Sequence, residues 1–144
     1  MLVSCNRTPN AKAVIRGSGI RGTVLFYQEK GAVLIEAKVY GLPWNGAGFY
    51  GFHIHEGGRC DGETFAMTGG HLDPLSVPHP SHAGDLPPLM YCSGYAYLAV
   101  RSDRFRVRDI VGRTVVIHEM PDDFRTQPAG NAMTKIACGI IRPV

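Results

Sequence analysis

Alternation of apolar and polar positions is the dominant pattern along the chain. Between Ala32 and Tyr40, Val33, Ile35, Ala37 and Val39 fall on one register and Leu34, Glu36, Lys38 and Tyr40 on the other, the period of a half-buried strand. Ala11 to Gly17 and Ile20 to Glu29 read as two short strands meeting at the turn Gly17-Ser18-Gly19, and Lys30-Gly31 reverses the chain into the next. Gly41-Leu42-Pro43 then breaks the pattern. Further strands are expected over Gly48 to Glu56, Gly94 to Arg101, Phe105 to Ile110, Gly112 to Glu119 and Lys135 to Ile141. Within these, Arg104, Arg106 and Arg108 alternate with Phe105 and Val107, as on the wet face of a strand whose other face is buried.

No stretch carries a helical period. From Gly57 to Tyr91, about 35 residues show neither period, far beyond a usual connection, so something other than local pattern must order them. Asp122 to Gly130 is a second, polar loop. About eight strands with long excursions predict an all-β fold, an antiparallel Greek-key β-sandwich or barrel that deals with its edges by pairing. A single domain is expected over residues 1–144, with residues 1–10 as a loosely ordered N-terminal extension.

Composition agrees and narrows the partners. The 18 glycines and 10 prolines fit many turns, and 44% hydrophobic with 19% charged residues is ordinary for a soluble globular protein. A formal charge of +3 and a pI near 8.8 suit a small anionic partner and fall short of a nucleic-acid footprint. No run approaches the ~20 apolar residues of a membrane span. Met1 to Asn10 lacks the basic and apolar regions of a signal peptide, which points to the cytoplasm, or outside it if the chain is a trimmed mature form. The four cysteines, Cys5, Cys60, Cys92 and Cys138, lack the close pairs of a thiolate zinc site, leaving both disulfide and free thiol open.

The histidines change the picture. In Gly51-Phe52-His53-Ile54-His55-Glu56 the two rings leave a strand on the same side, roughly 7 Å apart, a spacing that suits a metal clamp. One such pair could equally be two partly exposed strand residues. Of the remaining four, His71, His79 and His82 lie with Asp85 in the patternless Gly/Pro-rich loop, and His118 ends an apolar strand. A metal would supply the core that this loop lacks.

Gly-Phe-His-Ile-His-Glu at 51–56, Gly70-His71, His79 with His82-Ala83-Gly84-Asp85-Leu86, Gly112 to Glu119 with Asp122-Asp123, and Gly130-Asn131-Ala132 through Ala137-Cys138-Gly139 resemble the copper/zinc superoxide dismutase family. The motifs run in order from about Ile20 to Ile141, and all six histidines fall on the family's ligand positions. The resemblance implies an eight-stranded Greek-key barrel with long metal-binding and electrostatic loops. It implies a copper ion held by His53, His55, His71 and His118, and a zinc ion held by His71, His79, His82 and Asp85, with His71 as the bridge. Four imidazoles suit a copper ion that changes valence, and three histidines with a carboxylate suit closed, structural zinc. Asp122 is expected to orient His53 and His79. Cys60 and Cys138 match the family's disulfide, which leaves Cys5 and Cys92 as free thiols. The implied activity is dismutation of superoxide to oxygen and hydrogen peroxide.

One departure lies at the implied copper mouth. Where the family usually carries an arginine, this chain reads Gly130-Asn131-Ala132-Met133-Thr134-Lys135. Lysine keeps the charge but loses the planar fork that orients an anion with two donors, so reduced but real activity is expected, with Met133 narrowing the channel. The loops from His55 to Cys60 and from Asp122 to Lys135 are shorter than in familiar eukaryotic members, which leaves a homodimer open. Two other readings stand beside the enzyme, a copper buffer or chaperone-like relative with low turnover and a zinc-only structural module. Copper content and superoxide turnover separate them.

Overall fold

A computed structural model describes residues 7–144. Cys5 and most of the expected N-terminal extension lie outside that range. The strands are β1 (Ala11–Gly17), β2 (Arg21–Glu29), β3 (Ala32–Tyr40), β4 (Phe49–Tyr50), β5 (Phe52–His55), β6 (Leu89–Met90), β7 (Ala96–Ser102), β8 (Thr114–His118) and β9 (Lys135–Pro143). Seven of them form one antiparallel sheet in the order β5-β8-β9-β1-β2-β3-β7, and β4 pairs with β6 in a separate short ladder.

Alternation in the sequence becomes alternation in burial. Ala11, Ala13 and Ile15 of β1 and Val33, Ile35, Ala37 and Val39 of β3 are fully buried, together with Val24 and Phe26 of β2. Each such side chain removed from water contributes roughly 1.5–3 kcal/mol for the larger apolar residues. The sheet cannot stay flat, because its two edges are tied. β4 runs through Gly51 into edge strand β5, while β6 leads through the Cys92–Tyr95 turn into the opposite edge, β7. Pairing of Phe49 with Met90 and Tyr50 with Leu89 therefore draws the edges together and curls the sheet into a half-barrel around Phe26, Tyr50, Phe52, Ile54 and Leu89.

Three expectations need correction. Phe105 to Ile110 is not a strand, and the chain is not free of helix, since Val107–Ile110 forms one helical turn, α1. Phe105, Val107 and Ile110 all bury, and the change of spacing from two to three matches a bend followed by a helical turn. The Asp109 carboxylate accepts the Arg106 amide at 2.8 Å and fixes the start of that turn. Arg104, Arg106 and Arg108 thus sit on the β7–β8 connection, exposed, and not on a strand face. Finally, the strand expected over Gly48 to Glu56 is split at Gly51 into β4 and β5.

Candidate metal centre

Both faces of β5 are buried, and its backbone is paired along both edges. On one side His53 pairs with Val116 and His55 with Thr114 of β8. On the other, the long loop lays its own backbone against the strand, with bridges His53 to Asp85 and His55 to His71. The Ile54 amide donates to Gly84 O and the Leu72 amide to Ile54 O, each at 2.9 Å. Gly84 allows this approach, because a Cβ there would lie 2.1 Å from the Ile54 carbonyl oxygen. The patternless loop is thus ordered by hydrogen bonds to β5, which place His71 and Asp85 beside His53 and His55.

Two clusters result. One donor atom from each of His53, His55, His71 and His118 lies within 4.8 Å of the others, and the same holds for His71, His79, His82 and Asp85. All six rings are buried. In the first cluster the Nε2 atoms of His55 and His118 stand 3.2 Å apart. In the second, Asp85 oxygens lie 2.8 Å from His71 Nδ1, 3.1 Å from His79 Nδ1 and 3.1 Å from His82 Nδ1. Donors bound tetrahedrally to one ion at 2.0–2.1 Å would be separated by about 3.3 Å, so these spacings suit a shared cation. Among the described residues, His53 Nδ1, His71 Nε2 and His79 Nδ1 are buried without a hydrogen-bond partner, a costly state for a polar atom unless a cation is its partner. His71 belongs to both clusters, and its Nδ1 is the atom that meets Asp85 of the second.

The outward nitrogens of the other rings are held. Asp122 accepts from His53 Nε2 and from His79 Nε2, both at 2.7 Å, and so joins the two clusters through one carboxylate. Burial alone would raise its pKa, but these two hydrogen bonds and one from the Phe124 amide hold it well below the usual carboxylate range. Gly130 makes room for it, because a Cβ there would lie 2.0 Å from Asp122 Oδ1. His55 Nδ1 donates to Gly69 O at 2.8 Å, and His118 Nδ1 to Met133 O at 3.3 Å. Burial pushes His55 down to about 2 and His118 down to about 3, so both rings are neutral and keep a lone pair for a cation.

Lys135 opens β9, opposite His118 in the ladder. Its Nζ donates to Thr68 Oγ1 at 2.8 Å and to Gly69 O at 3.0 Å, and desolvation lowers its pKa. The Met133 side chain is exposed, and it is the backbone carbonyl of Met133 that meets His118. Cys60 and Cys138 form a disulfide that ties the long loop to β9 across a sequence separation of 78. Cys92 is exposed and has no disulfide partner among the described residues.

Several contributors had no sequence signal. Thr68 and Gly69 sit at a 3-10 turn, and Gly69 serves through its carbonyl oxygen, which any residue supplies. Gln127 embraces the His79 backbone, its Oε1 accepting from the amide at 2.9 Å and its Nε2 donating to the carbonyl at 2.7 Å. Arg104 Nη1 donates to Pro80 O at 2.9 Å and His82 O at 3.1 Å. A run of arginines spaced as on a strand pointed elsewhere.

Known proteins carry the same arrangement of sequence. Residues 20–141 match the family model described as copper/zinc superoxide dismutase. Superoxide dismutase [Cu-Zn] 2 of Aquifex aeolicus is 32% identical over 162 aligned residues, covering 99% of this chain and 93% of its own. Superoxide dismutase [Cu-Zn] 3 of Arabidopsis thaliana is 34% identical over 149, covering 91% and 88%. Among solved structures, one described as the clock protein EA4 superposes with a TM-score of 0.81 at 32% identity, covering 99% of this chain and 100% of that one. With two joined histidine clusters on a curled antiparallel sheet and relatives that span nearly its whole length, the chain belongs to the copper/zinc superoxide dismutase family.

Proposed function

We propose that this protein disproportionates superoxide to oxygen and hydrogen peroxide, with copper in the cluster of His53, His55, His71 and His118 and zinc in the cluster of His71, His79, His82 and Asp85. What supports this reading is His71, which belongs to both clusters, with Nδ1 beside Asp85 and Nε2 buried without a hydrogen-bond partner among the described residues. The donor sets fit the two ions, four neutral imidazoles for copper and three imidazoles with a carboxylate for zinc. Copper, when bound, supplies one-electron exchange between two valences. His71 Nε2 would hold the proton that, with a second from water, completes hydrogen peroxide, while Asp85 beside Nδ1 would tune the basicity of that ring. Asp122 keeps His53 and His79 oriented together. Lys135 supplies the positive charge that draws a small monoanion toward His55 and His118, so capture should weaken as ionic strength rises.

Metal stoichiometry with the copper EPR spectrum, taken before and after zinc removal, tests the assignment. One copper and one zinc per chain, with a tetragonal nitrogen-ligated signal that changes on zinc loss, is expected. An unchanged signal would separate the two sites and remove the shared ring. Superoxide turnover by the loaded protein then decides between an enzyme and a copper buffer. A chain that takes zinc and refuses copper would leave the structural module.

A further inference from the structure

The two ligands His79 and His82 are separated only by Pro80 and Ser81, in a turn that is neither helix nor strand. For both rings to face Asp85, the backbone of this turn must hold one conformation, and loops ordinarily lose that order to conformational entropy. Here the turn is gripped from two other parts of the chain. Arg104, on the β7–β8 connection, donates from one nitrogen to the carbonyls of Pro80 and His82, on either side of Ser81. Gln127, on the polar loop after β8, bonds both the amide and the carbonyl of His79. Within the turn itself the Ser81 amide donates to Pro78 O at 2.8 Å and the His82 amide to Asp85 Oδ2 at 2.9 Å. None of the Arg104 or Gln127 contacts touches a donor atom of the cluster, so neither residue is a ligand.

We propose that Arg104 and Gln127 are positioning residues which preform the second metal site by clamping the backbone of its ligand turn. The proposal rests on the reading of that cluster as a zinc site. Preorganisation of this kind raises affinity by removing the ordering cost at the moment of binding. It also makes the charge of Arg104 secondary to its reach, since its partners are neutral carbonyls.

The test is zinc affinity of the full-length protein by competition with a chromophoric chelator, which needs no turnover. Arg104→Met and Gln127→Ala are each expected to weaken zinc binding about 10-fold, and the double variant up to 100-fold, the range seen when groups behind a metal ligand are lost. Arg104→Lys retains a donor of similar reach and should recover part of the loss. Arg101→Met, which removes a neighbour bonded to Glu29 and not to the turn, should leave zinc affinity unchanged. Melting temperatures of the metal-free variants should match the unaltered protein, because the clamp acts on site geometry and not on the core. Unaltered affinity in the double variant, or a loss matched by an equal fall in metal-free stability, would overturn the clamp alone. Failure of the unaltered protein to bind zinc would overturn the zinc reading and the clamp with it.

Discussion

Lys135 Nζ and His55 Nδ1 converge on a single acceptor, the Gly69 carbonyl oxygen, at 3.0 and 2.8 Å. The cation on β9 and a ring of the first cluster are therefore set by the same peptide group. Two of the three ammonium donors are already engaged, one on Thr68 and one on Gly69, which leaves little directional capacity for a substrate anion. A guanidinium at this position could keep the Gly69 contact and still offer a parallel pair of donors. Lys135→Arg is expected to raise kcat/KM for superoxide severalfold. Lys135→Met should lower it about 10-fold or more through loss of electrostatic guidance, with a flatter dependence on salt. Pulse-radiolysis rates at low and high ionic strength check both. Equal rates for lysine and arginine would show that charge alone suffices.

Asp122 holds rings from both clusters, so its replacement should be felt at both. In Asp122→Asn one amide oxygen remains to accept from one ring, and the amide nitrogen faces the other ring's N–H. Metal affinity is expected to fall 10–100-fold, as is usual for loss of a ligand's orienting carboxylate. Sequential titration with zinc and then copper measures it. A change confined to one metal would mean that the two bonds are not equivalent.

Cys60–Cys138 closes a ring with a sequence separation of 78 residues, for which chain entropy predicts about 4 kcal/mol of stabilisation. Reduction, or replacement of both cysteines by serine, should lower the melting temperature by about 10–15 °C. A shift of a degree or two would indicate that the reduced chain keeps the loop in place without the bridge.

The buried rings fix the sign of the acid response. An unfolded histidine titrates near 6.5. In the metal-free fold His53 is held below that value by burial, His55 lies at about 2 and His118 at about 3. As pH drops below about 6.5 the unfolded chain therefore binds more protons than the folded one, and stability falls by about 1.4 kcal/mol per pH unit for each ring that must charge. Asp122, whose folded pKa is depressed, adds loss of the same sign once pH falls through the carboxylate range. Denaturant midpoints of metal-free protein between pH 7 and pH 4 should decline steadily. A flat profile would contradict the burial of these rings.

The strands were legible because half-buried β-structure writes itself as alternation, and Val33 to Val39 or Ala11 to Ile15 leave little room for another period. The two histidine clusters were legible because the chemistry that would use them needs particular side chains. Phe105 to Ile110 misled because an extended bend followed by one helical turn buries Phe105, Val107 and Ile110 with nearly the spacing of a strand. β6 is too short to carry a period at all. What stayed hidden was backbone work. The carbonyls of Gly69, Pro80 and His82 carry no residue signature, so Thr68, Arg104 and Gln127 gave no sign of their tasks until the fold brought them to those oxygens.

The loop that lies along β5 has one more effect. A strand at the margin of a sheet leaves amides and carbonyls that any stray chain could join, and here Ile54 and Glu56 already spend theirs on Gly84, Leu72 and Gly70. The segment that gathers His71 and Asp85 is thereby also a shield, and whatever loosens it would open a ladder to intruding molecules, inviting fibrous self-assembly along with loss of chemistry.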